Sequence, residues 1–336
     1  MSNPKTIVVV QIGKIGDMIL TTPLFSGLKK TFPESNLKVL ASEINKDIPL
    51  NHLSVDEVIV YKKNFLKNFT LLKSSLRNVD LWIDTKNNYS STSGVLLKIF
   101  KPKLSLGFNF EKKNFDISLK EFQKGKHAVD INTGPLNYFN KTSEQAETKP
   151  SFNIPLEIQR KFNLKLTSNL QNVIINISAG NLGRYLAKEK WLDIIKRINA
   201  NELSAFTLIG LARDKEIISY LLENCMEFNI NFIETKNILE TSEVIKQGDI
   251  VITPDTAIVH ICSAFDKPVV ALYPDVKWNL QKFAPLSKFN EALVSKDEGS
   301  IKDITVEAIV NAFIKIKEKI KSGNAESRTR VRKEDH

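Results

Sequence analysis

Two cysteines are all that this 336-residue chain carries, and Cys225 and Cys262 stand far apart with no CxxC around either. That scarcity argues against a disulfide framework and against a cysteine-based zinc site, and it predicts a reduced, cytoplasmic protein. The four histidines, His52, His127, His260 and His336, are scattered and no HExxH occurs, which speaks against a metal hydrolase. No G-x-S-x-G nucleophile elbow and no P-loop is present. No D-x-D occurs either, which argues against metal-dependent sugar transfer of the GT-A type. Uncharged apolar runs fall well short of the roughly 20 residues that a membrane-spanning helix needs. The opening MSNPKTIVVVQIGKIGD lacks the cleavage site of a signal peptide and reads as a first strand.

What is present is an ordinary globular composition, 42% apolar and 26% charged, in a length that suits two domains. The net charge of +10 is unevenly placed. Residues 1–165 hold 25 Lys+Arg against 15 Asp+Glu, whereas residues 166–336 hold 23 of each. Some of these lysines form solvated pairs such as Lys62-Lys63 and Lys112-Lys113. The excess also suits an anionic partner for the first half, a phosphorylated glycolipid or an anionic membrane surface. Nucleic acid is not expected, because no basic stripe interleaved with aromatics and no binding motif appears.

Apolar, β-branched runs alternate with helix-period segments along most of the chain. Strands are predicted at Thr6–Gln11, Leu37–Ala41, Glu57–Tyr61, Leu81–Thr85, Asn172–Ser178, Ala205–Gly210, Asn231–Glu234, Ile250–Thr253 and Pro268–Tyr273. Helices are predicted at Asp17–Thr31, Phe65–Asn78, Gly94–Phe100, Lys188–Ala200, Asp214–Asn224, Ile238–Gln247, Thr256–Phe265 and Thr305–Lys321. Continuous apolar strands separated by helices imply parallel sheets covered on both faces. The strand, glycine turn and helix of Ile7–Leu28 recur at Asn172–Ile198, with the polar, proline-bearing TSEQAETKPSFNIPLE between them as a linker. The expectation is an α/β protein of two Rossmann-like, doubly wound domains, 1–165 and 166–322, facing across a cleft, followed by a disordered tail at 323–336.

Three strand ends carry chemistry. Gln11-Ile12-Gly13-Lys14-Ile15-Gly16-Asp17 is G-x-x-G-D where a dinucleotide site would need G-x-G-x-x-G, and its Asp stands where a pyrophosphate would lie. A dehydrogenase is disfavoured. Asp17 suits a helix N-cap and a catalytic base equally well. After the strand Ile250–Thr253, Pro254-Asp255-Thr256-Ala257 opens a helix whose amides could hold a phosphate, with His260 one turn on. Taken in isolation, Asp255 reads first as a cap of that helix and His260 as a packed residue. The loop Ser178-Ala179-Gly180-Asn181-Leu182-Gly183-Arg184 adds one arginine suited to a diphosphate.

Taken in order, these segments resemble glycosyltransferase family 9, the bacterial lipopolysaccharide heptosyltransferases. The G-D-x-x-x-T-x-P opening, VDEVIVY, LWIDTKNN, LSLGF, KHAVDINTGPL, INISAGNLGRYLAKEKW and PDTAIVHICSAFDKPVVALYP follow in register from about residue 5 to about 320. The resemblance implies a GT-B fold and inverting, metal- and cofactor-independent transfer of heptose from ADP-heptose to a lipid-linked inner-core acceptor. It makes Asp17 the general base. It assigns Gly16, Ser178, Arg184, Lys236, Asp255, Thr256, Ala257 and His260 to the donor side, and Lys14 and His127 to the acceptor side. It also implies a cytoplasmic enzyme in peripheral contact with the inner face of the membrane. Two departures lie near the donor: Ala257 replaces the usual Gly, and Leu186-Ala187 replace a common Trp-Pro. A sugar-nucleotide epimerase and a non-catalytic nucleotide-sugar-binding module are the alternatives.

Overall fold

A computed structural model describes residues 3–62, 72–87, 90–109, 114–120, 126–139, 148–162 and 170–334, with side chains described as far as 322. The chain divides into two compact units, Met1–Pro155 and Leu156–His336. Divided there, the first unit carries 22 Lys+Arg against 14 Asp+Glu and the second 26 against 24, so the positive excess stays concentrated in the first.

The first unit contains a six-stranded parallel sheet in the order β3-β2-β1-β4-β5-β6. Its strands are β1 Thr6–Gln11, β2 Asn36–Ser42, β3 Glu57–Tyr61, β4 Leu81–Asp84, β5 Leu104–Gly107 and β6 Ile117–Ser118. Its helices are α1 Ile15–Ile19, α2 Thr22–Thr31, α3 Asp47–Leu50, α4 Ser91–Phe100 and α5 Ala128–Phe139. The run Ile7-Val8-Val9-Val10 is buried on both faces, which is why it reads as an unbroken apolar string and occupies the centre of the sheet. Val8, Val10, Leu40, Leu76, Trp82 and Leu96 form one core on a single side.

The second unit repeats the topology. Its sheet runs β12-β11-β10-β7-β8-β9, the same winding counted from β7. These strands are β7 Gln171–Asn176, β8 Ser204–Ile209, β9 Asn229–Phe232, β10 Ile250–Pro254, β11 Val269–Tyr273 and β12 Asn290–Val294. The helices are α6 Leu156–Lys161, α7 Lys188–Asn201, α8 Lys215–Asn224, α9 Ile238–Gln247, α10 Ala257–Ala264, α11 Asn279–Phe283 and α12 Val306–Glu334. Trp191, Ile194, Ile195 and Ile198 of α7 lie at helical spacing and pack with Phe313 and Ile316 of α12 into the core under Val173, Ile175 and Ile252.

All nine expected strands form, and both sheets are parallel throughout. Three further strands, β5, β6 and β12, and helices α3, α5, α6 and α11 complete the described parts of the units. The final segment differs from expectation. Instead of a disordered tail from 323, the backbone of α12 continues to Glu334, because Ala325, Glu326, Arg328, Arg330 and Arg332 are good helix formers and no proline intervenes. The expected helix at 65–78 is described only from 72 onward and is helical over 72–75. Lys63, Lys112, Lys113 and the linker residues 142–147 lie outside the described residues.

In each sheet the winding reverses between two neighbouring strands, β1 and β4 in the first and β7 and β10 in the second. Connections leave these pairs in opposite directions, so a crevice opens at the carboxyl ends of the strands. The three candidate loops all begin there.

Candidate active site

In the first unit, β1 ends at Gln11, whose side-chain amide donates to Thr85 Oγ1 at 2.8 Å and Thr21 Oγ1 at 3.3 Å. It thereby ties β1, the residue after β4 and the start of α2 together. Asn45 donates to the carbonyls of Gln11 and Gly13 at 2.9 and 3.1 Å, pinning the loop from beneath. Gly13 leaves room for both neighbouring side chains, since a Cβ there would stand 2.6 Å from Gln11 Oε1 and 3.2 Å from Asp17 Oδ2 and would make Gln11 shift. Gly16 is buried inside α1, and Lys14 is exposed immediately before it.

Asp17 is half-buried in the first turn of α1. Its Oδ2 accepts the Lys14 N–H at 3.4 Å, longer than an ordinary N–H···O bond. The following junction is held by other groups. Thr21 Oγ1 donates to the Asp17 carbonyl at 2.7 Å, and Asn132 of α5 donates to Leu20 O and Thr21 Oγ1, both at 3.1 Å. His127 stands just ahead of α5, with its Nδ1 accepting the Val129 N–H at 3.2 Å. The segment KHAVDINTGPL therefore reaches the Asp17 helix through Asn132, a residue the sequence reading did not single out.

Asp84, at the end of β4 and paired in register with Val10, was also missed. It is 1% exposed, its Oδ1 accepts the Lys86 N–H at 2.9 Å, and its Oδ2 is buried without a hydrogen-bond partner among the described residues. Burial pushes its carboxyl up from 3.8 to about 6, with Ser93, the Lys86 N–H and the Lys86 charge only partly opposing it. The folded chain therefore holds this proton to higher pH than the unfolded chain, and the site costs stability progressively as pH rises from about 3.8 through about 6. Asp84→Asn should raise stability at pH 7.5 by roughly 1–2 kcal/mol, less than the full shift implies because the amide also lacks a partner. The gain should shrink towards zero near pH 4. Urea midpoints at both pH values check it, and equal destabilisation at both would refute the buried-charge account.

In the second unit, β7 ends in Asn176, whose amide donates to Thr253 Oγ1 at 2.9 Å and to Ser178 O at 3.0 Å. Ser178 is buried and its N–H returns to Asn176 Oδ1 at 3.1 Å. This network joins the ends of β7 and β10. Asp255 extends the β10–β11 ladder with its N–H on Leu272 O at 2.8 Å, and Thr256 caps α10, its Oγ1 accepting from Ile258 N at 3.3 Å. Thr256 rather than Asp255 is thus the cap. Ala257 is the first residue of α10, and His260 lies one turn in, 5% exposed, with its ring 6.0 Å from that of Phe283.

Arg184 closes a short 3-10 turn capped by Asn181. Its NH1 donates to the Asp255 carbonyl at 2.7 Å and its NH2 stands 3.1 Å from Asp255 Oδ2. The same oxygen accepts from Asn279 of α11 at 2.6 Å. Gly183 is held against a neighbouring loop, where a Cβ would run into the Gly299 carbonyl oxygen and where Ile301 N donates to Gly183 O at 2.9 Å. Behind the loop, Arg213 donates to Ala179 O at 2.5 Å and to the Tyr185 hydroxyl at 3.0 Å, and that hydroxyl donates to Asp214 at 2.9 Å. Ser178, Arg184, Asp255 and Thr256 are therefore brought together. Lys236 is exposed beyond the edge strand β9, its N–H on Glu240 Oε2 at 2.7 Å, and shares no hydrogen bond with that cluster among the described residues. Asn176 and Asn279 are the residues of this site that sequence reasoning overlooked. A lone Asn at the end of a strand or the start of a short helix carries no periodic signal.

Among the described residues, no group of three or more His, Cys, Asp or Glu side chains is placed to hold a metal ion, and no helix is long and apolar enough to cross a membrane.

Comparison with known proteins bears on the fold. A family 9 glycosyltransferase structure from Veillonella parvula superposes with a TM-score of 0.75 at 18% identity, covering 93% of this chain and 97% of that one. The E. coli heptosyltransferase WaaC with ADP gives 0.74 at 16% identity, with 93% and 99% covered. E. coli ADP-heptose lps heptosyltransferase II gives 0.69 at 17% identity, with 93% and 98% covered. The fold is thus of the GT-B type. Residues 69–311 match the model of glycosyltransferase family 9 (heptosyltransferase), and this chain, a glycosyltransferase, belongs to that family.

Proposed function

We propose that this glycosyltransferase moves a heptose from ADP-heptose onto a lipid-linked inner-core acceptor, with inversion and without a metal ion. The observation that carries the reading is the paired set of loops at the two winding reversals: a carboxylate at Asp17 in one unit, and an Arg184–Asp255–Thr256 cluster at a helix start in the other. Asp17 would take the proton of the acceptor hydroxyl as that oxygen attacks the anomeric carbon from the face opposite the leaving group. The departing ADP gains negative charge, which the Arg184 guanidinium and the Thr256 and Ala257 amides would stabilise. Solved relatives with ADP or an ADP-heptose analogue support the donor class. The basic first unit supports an acidic acceptor in an anionic lipid surface.

One assay tests it. Purified protein is incubated with ADP-heptose and inner-core acceptor in anionic vesicles, with and without EDTA, and products are read by mass spectrometry. Transfer that survives EDTA is expected. Isomerised donor without transfer would favour the epimerase reading, binding without turnover the non-catalytic one, and a strict Mg²⁺ requirement would overturn the leaving-group account.

A further inference from the structure

The chain has three tryptophans, and two of them, Trp82 and Trp191, are fully buried core residues. The third, Trp278, is 58% exposed, directly before α11. Its position is set from several sides. Asp275 N donates to Asp297 O at 3.2 Å and Asn279 N to Val276 O at 2.7 Å, which fix the turn that presents it. Its ring meets Phe283 edge-on at 6.2 Å and 71°, and Phe283 in turn lies 6.0 Å from His260. The next residue, Asn279, places its amide on Asp255 Oδ2 at 2.6 Å. An aromatic wall thus runs from the buried His260 to an exposed indole, alongside a buried carboxylate that Arg184 and Asn279 already hold in place.

We propose that Trp278 is a stacking platform for the sugar ring of the donor, an inference that rests on the donor reading above. The Arg184 guanidinium and the Thr256 and Ala257 amides suit the diphosphate, which leaves the exposed indole for an uncharged part of the donor. A pyranose has an apolar face of C–H bonds, and a large exposed aromatic ring can cover that face. Trp supplies broad contact area with few rotatable bonds, and the fixed turn lowers the cost of ordering it. An adenine base would stack on the same ring, and the ADP arm of the test separates the two.

Because Trp82 and Trp191 are sealed in the core, the intrinsic fluorescence change on ligand binding reports Trp278. Titration with ADP-heptose should quench and blue-shift the emission, whereas ADP, bound to a similar extent by calorimetry, should leave it nearly unchanged. Trp278→Ala should raise the donor KM about tenfold with the ADP dissociation constant unchanged, and Trp278→Phe should restore most of the loss. Equal weakening of ADP and donor by Trp278→Ala would assign the ring to the base and overturn the proposal. An unchanged donor KM would make Trp278 an ordinary surface residue and overturn it too. If wild-type protein binds no ADP at all, the donor reading itself fails and the proposal falls with it. Melting curves of both variants check that the fold is retained.

Discussion

Asp17→Asn should melt within a few degrees of the wild type, bind ADP with nearly the same affinity, and turn over roughly 10²–10⁴-fold more slowly, the usual span for loss of a general base. The expectation of an intact fold comes from how the turn is held. The contact of the Asp17 carboxylate with the Lys14 N–H is 3.4 Å long, and α1 is only five residues. The junction between α1 and α2 depends instead on the Asp17 carbonyl, Gln11, Thr21 and Asn132. Asn preserves size and can still accept an N–H, so the substitution chiefly removes the negative charge and the basicity. The nearby Gly13 has no side chain to fill the space. Steady-state kinetics beside thermal melts give the answer. A variant that loses stability but keeps its turnover would make Asp17 a helix cap and nothing more.

Arg184→Ala should be the most damaging change in the second unit. The sequence pattern cast Arg184 as a phosphate contact, whereas two of its nitrogens are engaged by Asp255, one on the carbonyl and one on the carboxylate. Truncation therefore does two things. It takes the guanidinium away from a carboxylate whose side chain is only 7% exposed and that Asn279 also holds, and it removes the cation from the donor site. Breaking one half of a buried ion pair typically costs about 3–5 kcal/mol. The lower end applies here because the arginine side chain is 26% exposed. We expect a stability loss of about 3 kcal/mol and a donor KM raised roughly 10- to 100-fold. A double-mutant cycle with Asp255→Asn separates the two effects. Removing the carboxylate charge should recover most of the stability of Arg184→Ala without recovering donor affinity. Full recovery of both would mean that Arg184 serves only to hold Asp255.

The positions of β1, β7, β10 and β11 were legible in the sequence because a strand buried on both faces has to be an unbroken apolar run, and glycine, proline and polar residues end it sharply. The GxxGD and PDT turns were legible for the same reason, as local interruptions of a strong local pattern. β12, with the half-exposed Asn290–Val294, and α5, with Gly134 and Pro135 inside it, were not legible. Partial burial weakens periodicity, and both residues in α5 ordinarily argue against a helix. The helix holds because its apolar side packs on α2, with Leu136 lying over Gly27. What only the tertiary structure decided is which polar groups meet: Gln11 with Thr85 across 74 positions, Asn176 with Thr253 across 77, and Arg184 with Asp255 across 71. Each meeting follows from β4 lying beside β1, or β10 beside β7. Composition and spacing record which strands exist, but adjacency is chosen by how two winding directions pack helices onto one sheet, and that choice is made by the whole chain at once.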